Sequence, residues 1–281
     1  MREKIYSISM NLRVFIKFIG FTLSFYKKSK PGIYFLMYHS VGEQINLEID
    51  IDSILFKEQI GYLQSRGEII SIDTASKMIE EKIFLTKQYF VITFDDGYKN
   101  FYENALPILE KNNAPAIIYI NTSFIEHPEM IPIDSRTGFT KKMQPMTWEV
   151  INKIKDNSLI TIGCHGHLHE ELPTISSINI KKDINKSLSI FQARLGIQPD
   201  HFCYPRGMSN NRVENLIASC FKSSVITTFH GNPLEFIKNN YAIERIPVLK
   251  SDGLLWFKLR VSSKLYLDIL FFNFISRKFL R

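Results

Sequence analysis

From residue 31 onward, short apolar runs alternate with helix-like stretches, and this alternation constrains the fold more than any other feature. IYFLMYH (33–39), YFVITFDDG (89–97), APAIIYINTSF (114–124), LITIGCH (159–165), HFCYPRG (201–207), SSVITTF (223–229) and AIERIPV (242–248) read as strands. Between them, 56–67, 101–113, 147–157, 178–196 and 211–220 carry helical periodicity. Gly67 and Gly196 are stop signals, and Pro107 is a candidate kink. The strands are near-continuous apolar runs, as a parallel sheet covered on both faces requires. About seven such units predict an α/β fold closed into a barrel or near-barrel rather than an open sheet. The stretch 125–146 is expected to be irregular. A chain of 281 residues with 45% hydrophobic content can bury a core without disulfides. Its three cysteines, Cys164, Cys203 and Cys220, follow no framework spacing.

A parallel barrel carries its chemistry at the C-terminal ends of its strands. Four of these runs end in polar groups: Tyr38 and His39, Asp95 and Asp96, then His165, His167 and His169, and the turn Tyr204–Gly207. The chain has seven histidines, and three of them crowd into five positions. Histidine is the commonest metal ligand, although alternating histidines can also form a polar rim. Asp95-Asp96-Gly97 likewise has two readings. One is a turn with a helix cap. The other is a pair of repelling carboxylates whose burial a divalent cation compensates. The convergence of four strand ends favours a site over chance.

TFDDG at 93–97, with HGHLH at 165–169, resembles the polysaccharide deacetylase family, the NodB-homology or carbohydrate esterase family 4 group. The resemblance extends over residues 31–250, with TW at 147–148 and FCYPRG at matching places. It implies a distorted (β/α)7 barrel that hydrolyses an N-acetyl group from a sugar. It implies Asp96, His165 and His169 as ligands to a divalent metal, with Zn²⁺ first by ligand type. His167 matches no ligand position. Asp95 is implied as the general base. The oxyanion is implied to rest on the metal and a backbone N–H of the Tyr204–Arg206 turn, that of Arg206 first.

The chain also departs from the family pattern. The usual late Leu-x-His is missing, because no histidine follows His230. The branch resembling poly-N-acetylglucosamine deacetylases has this histidine early, which assigns the general acid to His39. Cys203 stands where the family often has a base-orienting arginine, and Arg206 where it has tyrosine. Strand order makes Arg245 the expected partner of Asp95, and Arg206 could instead meet an anionic part of the substrate. His201 and His230 are expected to be structural, and His127 to lie at the surface.

The net charge of +7 is carried by the ends. Residues 1–30 carry +6 and residues 264–281 carry +3, which leaves −2 for 31–263. A slightly acidic central domain argues against nucleic acid as a partner. The expected organisation is a basic apolar segment over 1–30, the barrel over 31–255 and a basic amphipathic segment over 256–281. The run 14–26 contains Lys17 and is too short to span a membrane comfortably. No small-residue cleavage site follows it. The ends therefore read either as surface anchors on an anionic membrane, making the protein peripheral, or as helices packed on the barrel exterior. The expected substrate is an N-acetylated sugar of a cell-envelope or lipid-linked glycan. The alternatives are another amide, such as a formyl group, or a non-catalytic glycan-binding barrel.

Overall fold

The computed structural model of the chain describes residues 30–45, 47–128, 143–227 and 240–262. The strands are β1 (Gly32–Tyr38), β2 (Ser40–Val41), β3 (Asp50–Ile51), β4 (Gly67–Ile69), β5 (Gln88–Phe94), β6 (Ala116–Ile120), β7 (Ile160–Cys164), β8 (His201–Cys203), β9 (Ser223–Thr227) and β10 (Ile243–Pro247). The helices are α1 (Ser53–Arg66), α2 (Ile72–Glu80), α3 (Leu106–Lys111), α4 (Thr122–Glu126), α5 (Trp148–Ile154), α6 (Ser177–Leu195), α7 (Asn211–Ala218) and α8 (Gly253–Val261).

Seven strands close the ring in the order β1, β5, β6, β7, β8, β9, β10 and back to β1, all in parallel. This is the closed seven-strand barrel expected of the chain. β4 lies outside the ring and pairs with the first half of β5, leaving the second half to β6.

The two-residue period of a strand divides the apolar residues into two cores. Ile33, Phe35, Val91, Ile117, Tyr119, Cys203, Val225 and Ile243 form one cluster, which fills the barrel interior. Their neighbours Tyr34, Leu36, Tyr38, Phe90, Ile92, Phe94 and Ile118 join the larger cluster under the helices. The inward register, continued upward, reaches His39, Asp95, His165 and Arg245. The strands thus aim those four side chains at the mouth of the barrel.

Several elements differ from expectation. β4 and α2 were not anticipated: Gly67 opens a strand instead of only ending α1. The run 114–124 stays extended only to Ile120, because Asn121 caps α4 by accepting from Phe124 N at 3.0 Å. The run 201–207 is extended only to Cys203. Pro107 lacks an N–H, and the turn ahead of it relaxes into a π-helix over Phe101–Ala105 before α3 begins. The expected domain boundary at 255 falls inside α8, whose Phe257, Arg260 and Val261 are buried, so the barrel domain continues through that helix. The segments 1–29 and 263–281, His230 and most of the loop 125–146 lie outside the described residues.

Candidate active site

β5 ends in a tight turn. Asp95 N–H donates to Tyr38 O of β1 at 3.0 Å, and Gly97 N–H donates back to Asp95 O at 3.0 Å. The turn holds Asp96 at φ +73°, a left-handed conformation rarely taken by a residue with a side chain. Neither aspartate caps a helix, so the turn-and-cap reading of this motif does not hold. The turn sends the two carboxylates to different places. Asp95 continues the inward register and is buried, while Asp96 swings toward β7.

His165 follows β7 directly, and His169 closes the loop after it, also left-handed at φ +57°. Their Nε2 atoms each lie 3.5 Å from Asp96 Oδ1. All three donor atoms lie within 4.8 Å of one another. A separation of 3.5 Å is long for a hydrogen bond. It is close to the roughly 3.4 Å that tetrahedral ligands at about 2.0–2.1 Å from a metal must keep. His165 Nδ1 sits 2.8 Å from Cys203 O, and donating there leaves Nε2 as the free lone pair facing Asp96. The donor set therefore fits a divalent cation. Burial opposes the charge on Asp96, but His165 and His169 outweigh it and hold the carboxyl well below the usual carboxylate range.

Asp183 of α6, which sequence reasoning missed, pins the loop between the two histidines. Its carboxylate accepts from His167 N at 2.9 Å and Leu168 N at 2.8 Å. Gly166 is left-handed at φ +72°, and a Cβ there would stand 2.8 Å from Asp183 Oδ2. The ring of His167 turns away from the metal cluster, with Nδ1 2.9 Å from Thr122 Oγ1. Asn121 supports the loop from below, donating to His165 O at 3.3 Å.

Asp95 is held by Arg245. Nη1 meets Oδ1 at 2.6 Å and Nη2 meets Oδ2 at 2.7 Å, and the arginine is 1% exposed. The register explains the reach. Phe35 pairs with both Val91 and Arg245, so Arg245 starts two inward layers below the aspartate. Its side chain climbs past Thr93, donating to Thr93 Oγ1 at 3.0 Å, and its Nη2 lies 3.1 Å from Cys203 Sγ. A second group of donors, Asp95, His165 and Cys203, also converges, but the guanidinium already supplies the positive charge there. Burial would raise the pKa of Asp95, yet the charge and hydrogen bonds of Arg245 leave it lowered.

His39 Nε2 stands 4.0 Å from Asp95 Oδ2, on the side of the carboxylate facing the mouth. Burial lowers its pKa, and Asp95 and Asp96 partly offset that. Tyr98, also missed, packs its hydroxyl against Asp96. Burial, then the aspartate's charge, raises its pKa well above the ordinary value, so it stays a neutral donor.

The turn after β8 brings a correction. Tyr204 has no donor to offer a substrate. Its N–H is spent on Val225 O, and its ring is buried with the hydroxyl donating to Tyr241 O at 3.0 Å. Pro205 has no N–H, and Gly207 N–H donates to Tyr204 O at 2.8 Å. That leaves Arg206 as the backbone donor of this turn, in a left-handed conformation at φ +57°. Its side chain is half-exposed and lies 3.6 Å from Glu171, two residues beyond His169. His201 is buried at the opposite end of the barrel, within hydrogen-bonding distance of Ser223 and Asp73.

A family model described as polysaccharide deacetylase matches residues 84–221, the stretch that holds Asp95, Asp96, His165 and His169. This stretch belongs to the polysaccharide deacetylase family. Members of this family are hydrolytic N-deacetylases. YxkH of Bacillus subtilis is 25% identical over 229 residues, 81% of this chain and 75% of its own length. The poly-beta-1,6-N-acetyl-D-glucosamine N-deacetylase of Staphylococcus aureus is 24% identical over 179 residues, 63% of this deacetylase. That match spans 60% of the staphylococcal protein's length. The barrel superimposes on the Streptococcus pyogenes deacetylase PplD, solved with acetate, with a TM-score of 0.68 at 20% identity. The overlap covers 83% of this chain and 99% of that one.

Proposed function

We propose that this chain is a metal-dependent hydrolase that removes N-acetyl groups from an N-acetylated polysaccharide of the cell envelope. The observation that carries the reading is the pairing of two arrangements at one mouth: a two-histidine, one-carboxylate donor set beside a buried, arginine-held aspartate. A glycan-binding barrel would need neither. Asp96, His165 and His169 would hold the cation, with Zn²⁺ best matched to nitrogen and carboxylate ligands. The cation supplies Lewis acidity, lowering the pKa of water and polarising an amide carbonyl.

The chain's own residues do the rest. Asp95, kept ionised by Arg245, accepts the proton of the attacking water. Arg245 also fixes both carboxylate oxygens, which sets the direction in which the base points. The Arg206 N–H is a donor available as negative charge builds on the carbonyl oxygen. His39 delivers a proton to the departing amine. It stands 4.0 Å from Asp95 Oδ2, close enough for the two to serve atoms bonded to the same carbonyl carbon.

The test is metal content of the purified protein and of His165→Ala, with acetate release measured from β-1,6-linked N-acetylglucosamine oligomers. About one divalent ion per chain is expected for a three-ligand site. It should be lost in the variant together with acetate release. A wild-type protein that takes up no zinc and releases no acetate would overturn the reading.

A further inference from the structure

His39 stands in the link between β1 and β2, and both of its neighbours are tied to the segment that follows β5. On one side, Tyr38 O accepts from Asp95 N–H at 3.0 Å. On the other, β2 is edged by two asparagine side chains. Asn100 Oδ1 accepts from Val41 N at 3.3 Å, and Asn104 Nδ2 donates to Val41 O at 2.8 Å. The opposite edge of β2 is taken by β3. The two amides thus stand in for a neighbouring strand and satisfy both backbone groups of a fully buried residue. Asn100 and Asn104 reach the same residue because the π-helix sets them about one turn apart. Gly42 leaves them the room. It is left-handed at φ +75°, and a Cβ there would stand 2.8 Å from Asn104 Nδ2.

Asn100 also opens a buried relay. Its Nδ2 donates to Ser40 Oγ at 2.9 Å, and Ser40 Oγ–H donates to Asp50 Oδ1 at 2.7 Å. Asp50 gathers the rest of the loop, accepting from Glu43 N at 3.1 Å and Ile45 N at 3.0 Å. Ser40, Asp50 and Asn100 are each 2% exposed or less. Ile45 then shares a small apolar cluster with Tyr98, whose hydroxyl lies against Asp96. The segment after β5 therefore carries Asp95 and Asp96 at its start and holds the strand after His39 further on.

We propose that Asn100 and Asn104 are positioning residues for His39, fixing it to the framework that carries Asp95 and Asp96. The 4.0 Å between His39 and Asp95 is then set within one piece of the fold. The inference rests on the proposed deacetylation, with His39 as proton donor, and concerns what holds that donor in place. Displacing such a group by about 1 Å is enough to lose about 10²-fold in rate.

The experiment compares the full chain, supplied with zinc, with Asn100→Ala, Asn104→Ala, His39→Ala and the double variant Asn100→Ala, His39→Ala. Acetate release is measured from N-acetylglucosamine oligomers and from 4-nitrophenyl acetate. The sugar amine leaves only with a proton, whereas nitrophenolate leaves without one. His39→Ala should therefore slow the oligomers selectively. Asn100→Ala should lower kcat on the oligomers about 10–10²-fold with KM unchanged, and Asn104→Ala by less. Both should keep the wild-type rate on the ester and the wild-type metal content. In the His39→Ala background, removing Asn100 should cost nothing further, because its effect runs through a side chain already gone.

Full activity of both asparagine variants, or losses that multiply in the double variant, would overturn the proposal. So would equal losses on the two substrates where His39→Ala itself discriminates between them. If Asn100→Ala does not fold, the half-buried Asn104 gives the same comparison. A His39→Ala variant that slows both substrates alike would fail the proton-donor reading, and the double variant would still decide whether Asn100 acts through His39. If wild type releases no acetate at all, the reaction reading fails and the His39 ring C–H signal in NMR decides. One sharp signal in wild type that broadens or doubles in Asn100→Ala supports the positioning role, and an identical signal overturns it.

Discussion

Arg245 grips Asp95 at 2.6 and 2.7 Å, and Arg260 grips Asp252 at 2.8 and 2.8 Å. All four residues are buried. The first pair joins strands 150 positions apart in the barrel interior, and the second spans eight residues, from the N-cap of α8 to its last turn. A forked arginine–aspartate pair is therefore not itself a mark of a site. What separates the two is their company. Asp95 has His39 at 4.0 Å and the Asp96–His165–His169 set next to it, whereas Asp252 accepts from the backbone of Leu249 at 3.4 Å. Under the proposed reaction, the same ion pair orients a base in one place and fastens a helix in the other.

The largest expected contrast is in rate. Asp95→Asn should lower acetate release by about 10²–10⁴-fold, the usual share of a positioned general base. Asp252→Asn should leave the rate of the folded enzyme unchanged. Equal losses, measured as kcat on protein shown to be folded by circular dichroism, would erase the distinction.

In stability the two pairs should look alike. Arg245→Ala and Arg260→Ala each strand a buried carboxylate and should cost about 3–5 kcal/mol in urea unfolding. Arg245→Lys sharpens the comparison. It keeps the charge but loses the fork, so it should regain part of that stability while kcat stays about tenfold down, since lysine cannot hold both oxygens. A lysine variant with full activity would show that Asp95 needs a charge and no orientation.

Acid offers a smaller effect with a definite sign. The folded pKa of Asp95 lies below its unfolded value of about 3.9. Its contribution is then complete above that value and is lost as pH falls through the folded pKa. Unfolding curves of wild type and Asp95→Asn should keep a constant gap near neutrality and converge below about pH 4. A gap that widens on acidification would mean that Arg245 does not hold the carboxylate as described.

The smallest effect belongs to His167. Its ring bonds Thr122, so His167→Gln should cost about 1 kcal/mol or less and leave metal content intact. Loss of the metal would move His167 into the donor set.

The barrel was legible because buried parallel strands write themselves as apolar runs, and the donor set because short motifs at strand ends carry their own spacing. Arg245 was within reach only through strand order. Its role depends on a two-layer offset between Arg245 on β10 and Asp95 after β5 that no local pattern records. Asp183 was not legible at all. It sits in KKDINK on a long helix, where an aspartate reads as solvated, and only the two loop N–H groups above it explain its burial. Tyr204 erred the other way. Its place in a motif suggested contact with substrate, but it precedes Pro205 at the end of a strand, and the ring follows the strand's outward register into the core. β4 escaped notice because three residues opening on a glycine carry little periodicity.

Two of the three candidate metal donors ride on one five-residue loop, His165 to His169, tied to the scaffold by the Asp183 carboxylate on α6 and by Asn121, Thr122 and Ser187. The base, its arginine and the early histidine all come from other strands. The third donor, Asp96, shares its turn with Asp95, so the candidate cation site and the proposed base meet at one dipeptide. Changes in the histidine loop could retune the preferred cation, whereas any shift of the Asp95–Asp96 turn would move the cation site and the proposed base together.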